Sequence, residues 1–528
     1  MHPYQHALAH PERVAFVLAD TGERLSYREL DEGSNRVAQL FRSRGLLAGD
    51  AVALMLRNVL EFPILYWGAQ RSGLFVTLIS THLKPAEAAY ILNDCGARLF
   101  VTSAEVGDTP AVLARSHAEL TPKVQTVYSV GPEALAGAEP LAAALGAMPA
   151  TPVADQISGS YILYSSGTTG RPKGIVVPFQ RQPIEEVGAT EGSTRMFEGY
   201  DPLIAFNAGP LYHGAPIGGM IATHRLGGTV VTLRKFDALQ TLKAIADWRV
   251  VHAQFVPTMF VRLLALPEET RRSFDLSTLQ YILHAAAPCP VEIKRRMLDW
   301  LGPIIYEYYG ASENFGGTII SPQEWLRRPG SVGRSALGPI HICRDDGEEL
   351  STGQQGLIYF ESPRGRQFSY LNDPARTAKA RHPGHPEWIS VGDIGWVDEE
   401  GYLFLTDRKD FMIISGGVNI YPQAVEDALI VHPKVLDAAV IGVPDPDYGE
   451  QVRALVQPVD WADAGDPLSA ELIAWCRRQI SALSCPRSIH FVRELPRLAS
   501  GKLAKHELRR LYGAAPSLCG IPRDPTHR

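Results

Sequence analysis

Cysteine is scarce in this sequence: six residues in 528, too few and too scattered for a disulfide framework. Cys95, Cys289, Cys343, Cys476, Cys485 and Cys519 include no CxxC pair, which argues against a zinc ribbon and makes a reducing cytoplasmic setting the expectation. Neither sign of charge dominates. With 51 Lys and Arg against 57 Asp and Glu, the net charge of -6 offers nucleic acid no basic field, so any polyanion must be held by a local site. The N-terminus, Met1-His2-Pro3-Tyr4, lacks the basic-then-apolar pattern of a signal peptide. Between Asp201 and Arg225 formal charge is absent altogether, as in a membrane span. Yet Asn207, Pro210, His213, Pro216 and several glycines spoil that stretch as a continuous helix in lipid, so it reads as a buried pocket wall and no transmembrane segment is expected.

What is present is an ordinary globular composition, 45% hydrophobic and 20% charged, over a length that suggests several fused domain-sized units. Ser26 and Glu29 form a capping box that opens a helix with Leu30, Val37, Leu40 and Phe41 on one face and Gly45 at its end. Ala51 to Leu56 is an uninterrupted apolar run, the pattern of a strand buried on both faces. The same helix–strand rhythm recurs at Val230-Val231, Tyr281 to Leu283 and Ile304 to Tyr306. It predicts an α/β body of packed, mostly parallel sheets. Near residue 407 the character changes. Asp407-Arg408-Lys409-Asp410 separates apolar strands. About one hundred residues follow with a helix opened by Pro422, a strand over Ala438 to Val443, a helix carrying Ile473, Cys476 and Ile480, and a strand over Ile489 to Val492. The expected division is a body over residues 1–407 and a small α+β domain over 408–528, with a loosely ordered tail from about residue 514.

The sharpest chemical signal is Tyr164-Ser165-Ser166-Gly167-Thr168-Thr169-Gly170-Arg171-Pro172-Lys173-Gly174. Glycines let backbone approach a phosphate chain, hydroxyls and amides donate to it, and Lys173 supplies charge. It is no Walker loop: there is no Gly-Lys-Ser/Thr, and strands flank it on both sides where a helix should open.

That segment resembles the phosphate loop of the acyl-adenylate-forming superfamily, which includes acyl- and aryl-CoA synthetases, luciferases and peptide-synthetase adenylation domains. The likeness runs from about Ser26 to Leu508, with five signatures in the family's order. It implies that Ser165, Ser166, Gly167, Thr168, Thr169, Gly170 and Lys173 cradle phosphates. In Tyr308-Tyr309-Gly310-Ala311-Ser312-Glu313, the resemblance has Tyr309 stacking on adenine beside Gly310, Ser312 touching phosphate and Glu313 helping to hold Mg²⁺. Serine stands at 312 where the family more often has threonine, and keeps the hydroxyl. A hard cation shared by one glutamate and ATP oxygens is chemically sensible. Ala286, Ala287 and Pro288 resemble the small-residue strip under the adenine. Asp393 in Val391-Gly392-Asp393 resembles the ribose-binding aspartate, although Val391 replaces a frequent threonine.

The tetrad resembles the family's hinge, with Arg408 contacting nucleotide and Asp410 as the pivot. Ser415-Gly416-Gly417 resembles the glycine segment that lines a pantetheine tunnel. Lys502, in Pro496-Arg497-Leu498-Ala499-Ser500-Gly501-Lys502, matches the adenylation lysine. Attack of a carboxylate on a phosphate joins two anions, and a cation must offset their repulsion as charge develops. The implied reaction consumes a small carboxylic acid, ATP and coenzyme A, and the small domain swings between two half-reactions.

His213, Gly218 and Gly219 are candidates for the acyl pocket, through the resemblance of Pro210-Leu211-Tyr212-His213 to the family segment beside it. The uncharged wall there favours an apolar acid. Segments 252–258 and 284–290 look most like bacterial fatty-acyl and bile-acid CoA ligases, so a fatty acid or a steroid side-chain acid comes first and an aryl acid second. Transfer to a carrier protein, release of the adenylate itself, a nucleotide-binding regulator without turnover and a homo-oligomer all stay open.

Overall fold

The computed structural model describes residues 1–165, 172–176, 182–186, 195–362, 368–497 and 502–513. Two sheets with flanking helices build the body. In the larger, Val14–Leu18, Thr229–Thr232, Ile204–Asn207, His252–Phe255, Tyr281–His284 and Ile305–Gly310 lie side by side in parallel. In the smaller, Ala51–Met55 lies parallel to both Phe75–Leu78 and Ala97–Ser103 and is buried throughout. The unbroken apolar run is thereby explained: both faces of that strand meet core. The capping box forms as expected. The Ser26 amide donates to Glu29 Oε2 at 2.8 Å, the Glu29 amide donates to Ser26 Oγ at 3.2 Å, and Gly45 takes a φ of 73° past the helix end.

The larger sheet then departs from the parallel expectation. Beyond Ile305–Gly310 it continues antiparallel through Gly317–Ile320, Ser331–Ser335, Leu403–Arg408, Asp393–Val397, Gly356–Glu361 and Ile340–Cys343. Short connections make antiparallel pairing available without crossover helices. This extension brings Asp393 and Arg408 into register beside each other, next to the carboxyl end of the parallel ladder.

A third sheet holds Ile413–Ser415, Val418–Ile420, Val435–Asp445, Gly449–Pro458 and Ser488–Phe491. Helix Pro422–Ile430 packs on it through Val425, Ala428 and Leu429. Helix Asp466–Gln479 buries Leu468, Leu472 and Cys476, whereas Ile473 is only partly covered. The uncharged stretch after Asp201 becomes strand Ile204–Asn207 and helix Gly214–Arg225, buried from Gly219 onward. Among the described residues no helix is long and apolar enough to cross a membrane.

Candidate active site

Strands Ser160–Ser165 and Lys173–Val176 pair antiparallel, with Ser165 opposite Lys173. The two strands that flank the glycine–hydroxyl segment thus pair with each other, unlike the surroundings of a Walker loop, where a strand leads into a helix. Ser166, Gly167, Thr168, Thr169 and Gly170 lie outside the described residues. At the start of the second strand Lys173 Nζ reaches Glu313 Oε1 at 2.9 Å and donates to the Tyr370 hydroxyl at 2.8 Å; that hydroxyl donates in turn to Glu313 Oε1 at 2.7 Å. Burial, and then Glu313, raise the phenol's pKa, so Tyr370 stays protonated and acts as a donor. Tyr370 belongs to no motif; only the pairing of strand Ser369–Tyr370 with Lys173–Val176 brings it here. Because one hydroxyl orients both charged partners, we expect Tyr370→Phe to lower kcat/KM for ATP about tenfold, the equivalent of roughly one charge-assisted hydrogen bond. Acid-dependent pyrophosphate exchange at varied ATP measures it.

A second chain of contacts runs alongside. The Tyr309 hydroxyl donates to Asp393 Oδ2 at 2.6 Å, and Arg408 Nε donates to Asp393 Oδ1 at 2.9 Å. Burial opposes the charge of Arg408, but Asp393 outweighs it and holds the guanidinium above its ordinary pKa. Arg408 also donates to the Val391 carbonyl at 3.1 Å, so the residue lacking a polar side chain contributes through its backbone. Gly310 and Ser312 are exposed where strand Ile305–Gly310 ends, while Glu313 is buried. Ala286, with Ala287 and Pro288, follows the adjacent strand Tyr281–His284 and holds a φ of 76°. A left-handed alanine costs about 1–3 kcal/mol, and a β-branched residue costs more. Ala286→Val is accordingly expected to lower the unfolding midpoint and weaken ATP binding, whereas Ala286→Gly should preserve both; thermal unfolding with and without ATP distinguishes them.

Lys502 comes to this cleft from the C-terminal unit. Arg497, just before it in the chain, forms an ion pair with Asp437, with Nε at 2.7 Å from Oδ2, and bridges to Leu503. Lys505, just after, reaches Glu426 at 2.8 Å. The Lys502 side chain is accessible to water. Even so, desolvation in the cleft lowers its pKa, Arg408 and Lys173 add to the lowering, and Asp393 and Glu313 work against it. These groups share one electrostatic field, with cations and carboxylates interleaved, as binding a polyphosphate beside a metal ion requires.

Asp410 lies in the turn Lys409–Phe411, where its carbonyl accepts from Arg509 at 3.1 Å. Ser415, Gly416 and Gly417 join strands Ile413–Ser415 and Val418–Ile420; the glycines are exposed, with φ of 57° and 79°, and Gly416 donates to the Tyr448 carbonyl at 2.8 Å. His213 stands before helix Gly214–Arg225, its ring edge-on to Tyr212 at 4.7 Å. Gly218 faces open space. No group of three or more His, Cys, Asp or Glu among the described residues could hold a metal by itself. Glu313 as a single carboxylate therefore fits only a cation brought largely by phosphate oxygens, as Mg²⁺ is with ATP.

The model of the AMP-binding enzyme family matches residues 4–366, and that of the AMP-binding enzyme C-terminal domain matches residues 424–502. The chain belongs to this family, within the acyl-adenylate-forming superfamily. A long-chain-fatty-acid–CoA ligase of Mycobacterium tuberculosis is 29% identical over 97% of this chain and 97% of its own. A feruloyl-CoA synthase of Amycolatopsis sp is 32% identical over 93% of this chain and 95% of its own. Among solved structures, an anthranilate CoA ligase in complex with anthranoyl-AMP aligns with a TM-score of 0.81 and 25% identity, covering 96% of each chain. The family's likeness thus spans the body and the C-terminal unit together.

Proposed function

We propose that this family member is an AMP-forming acid–thiol ligase. What supports the reading most is the pair of contacts Lys173–Glu313 and Arg408–Asp393, with Lys502 under the electrostatic influence of all four groups. A carboxylate oxygen of the acid attacks the α-phosphorus of ATP, pyrophosphate leaves, and an acyl-adenylate forms. The coenzyme A thiol, losing its proton, then attacks the acyl carbonyl and AMP departs. Lys502 offsets the repulsion between the carboxylate and the α-phosphate, and Lys173 neutralises the leaving phosphates. Asp393 accepts from ribose, and Tyr309 covers the adenine. Mg²⁺, when bound at Glu313 with ATP, supplies further charge for the phosphate oxygens.

Residues 408–528 form a domain that turns about Asp410 to withdraw Lys502 and present Ser415-Gly416-Gly417 to the thiol arm. The acid is a fatty or steroid side-chain acid, with an aryl acid as the second reading. The test is AMP release from a panel of fatty, aryl and steroidal acids, with and without coenzyme A. Release that depends on coenzyme A supports the reading. Release only with a carrier protein would assign a different acceptor, and tight ATP binding without release for any acid would make the chain a non-catalytic nucleotide binder.

A further inference from the structure

Helix Gly214–Arg225 packs on strands Ile204–Asn207 and Thr229–Thr232, and Asn207, the last residue of the first, is paired in register with Gln254 of the neighbouring strand His252–Phe255. The two stand at the same carboxyl edge of the parallel ladder from which Ala286 and Tyr309 emerge, because Gln254 aligns with Leu283 and Leu283 with Tyr306. Ligands of open α/β sheets collect along such edges. Two side-chain amides stand there in an otherwise uncharged wall. Asn207, 1% exposed, donates its Nδ2 to the Pro216 carbonyl at 3.1 Å, which fixes its Oδ1 as an acceptor turned the other way. Gln254 Oε1 is buried close by. Neither oxygen has a hydrogen-bond partner among the described residues.

Gly219 is what admits them. A Cβ on it would stand 2.7 Å from Gln254 Oε1 and 2.8 Å from Asn207 Oδ1, so any larger residue there would drive both amides away. One turn-mate along, Gly218 borders open space. A buried acceptor left without a donor costs about 1–3 kcal/mol, which is a reason for such a pair to face something that donates.

We propose that Asn207 and Gln254 read a hydrogen-bond donor, a hydroxyl or amine N–H, carried on the apolar part of the acid substrate, so that hydroxylated or amino-substituted acids are the substrates and plain hydrocarbon acids are not. This rests on the ligase reading above and narrows it, since a steroid or an aryl acid carries such a group more readily than a simple fatty acid. A site built around a substrate hydroxyl rejects the analogue lacking it, because its own acceptors are then left unpaired.

The test uses matched pairs: cinnamic and 4-hydroxycinnamic acid, hexadecanoic and 16-hydroxyhexadecanoic acid, and a steroid side-chain acid with and without its ring hydroxyl. AMP release with coenzyme A gives kcat/KM for each. The expected result is a preference of about 100-fold or more for the donor-bearing member of at least one pair. That ratio should collapse towards unity in Gln254→Leu and in Asn207→Leu; Gln254→Met, of similar length, serves if the leucine variant does not fold. Turnover without preference in every pair, or a preference that survives both substitutions, overturns the inference and leaves the ligase reading intact; it would mean that the two amides serve only each other or a trapped water. Absence of AMP release from every acid would bring down the ligase reading and this inference with it.

Discussion

Lys502→Ala is expected to abolish acid-dependent pyrophosphate exchange, lowering it by a factor of about 10² to 10³ or more, while preformed acyl-adenylate still reacts with coenzyme A. The asymmetry follows from charge. In the first half-reaction a carboxylate approaches a phosphate, and the ammonium is the cation that the C-terminal unit adds to those of the body. In the second, the attacking group is a thiol and the electrophile is a neutral carbonyl, so the lysine has no repulsion to offset. Purified adenylate and coenzyme A, followed in a single turnover, separate the two halves. Equal loss of both would contradict the division of labour. The pH profile gives a further sign. Desolvation and Arg408 lower the Lys502 pKa, which stabilises its neutral form, so exchange should fall off on the alkaline side below the ordinary lysine range. Lys502→Arg should shift that limb upward, because a guanidinium stays charged.

The second large effect concerns stability beneath the nucleotide site. Glu307, two residues before Tyr309, is buried with Lys294 and His284: Lys294 Nζ lies 2.6 Å and His284 Nε2 3.4 Å from Glu307 Oε2. Lys294 and His284 have no exposed surface, and Lys294 also stands 4.9 Å from the centre of the Trp325 ring. Burial alone would raise the Glu307 pKa, but His284 and Lys294 hold it down to about 2. Lys294→Met leaves the carboxylate nearly alone in the interior and should cost about 3–5 kcal/mol. Lys294→Met/Glu307→Leu, which removes both charges, should recover most of it. Because the folded carboxyl is depressed, its stabilising effect is complete above the unfolded value near ~4.3 and is lost as pH falls towards about 2. Denaturant unfolding of the parent and both variants at pH 7 and pH 3 tests the magnitude and the sign together. A single variant as stable as the parent at pH 7 would refute the argument.

Much of this was legible before any coordinates, where the signal was local. The capping box at Ser26 and Glu29 needs only a spacing of three. The double burial of Ala51 to Met55 needs only five apolar residues in a row. The strand on each side of the glycine–hydroxyl segment was readable for the same reason. What escaped was assembled over long range. Tyr370 meets Lys173 across 197 positions, through a two-residue strand with no periodicity to read. The Val391 carbonyl works through backbone, to which side-chain chemistry is blind. Beyond Gly317–Ile320 the antiparallel extension is made of short strands that do not alternate cleanly between covered and uncovered residues, and Ser331–Ser335 is one example. Asn207 was visible only as a polar break in the uncharged stretch from Asp201 to Arg225, and Gln254 lies outside that stretch, so nothing local paired the two amides. Amides carry no formal charge, yet they cost as much to bury unpaired as many charged surface groups gain when paired.

Oxygen transfer tests the central claim most directly. An acid that is turned over, labelled with ¹⁸O in its carboxylate, is incubated with ATP, Mg²⁺ and coenzyme A, and the nucleotide and phosphate products are weighed by mass spectrometry. Attack of the carboxylate on the α-phosphorus leaves its oxygen in the bridge, and thiol cleavage at the carbonyl carries that oxygen away, so one ¹⁸O should appear in AMP and none in pyrophosphate. Label in inorganic phosphate with ADP as the nucleotide product, or AMP without label, would contradict it.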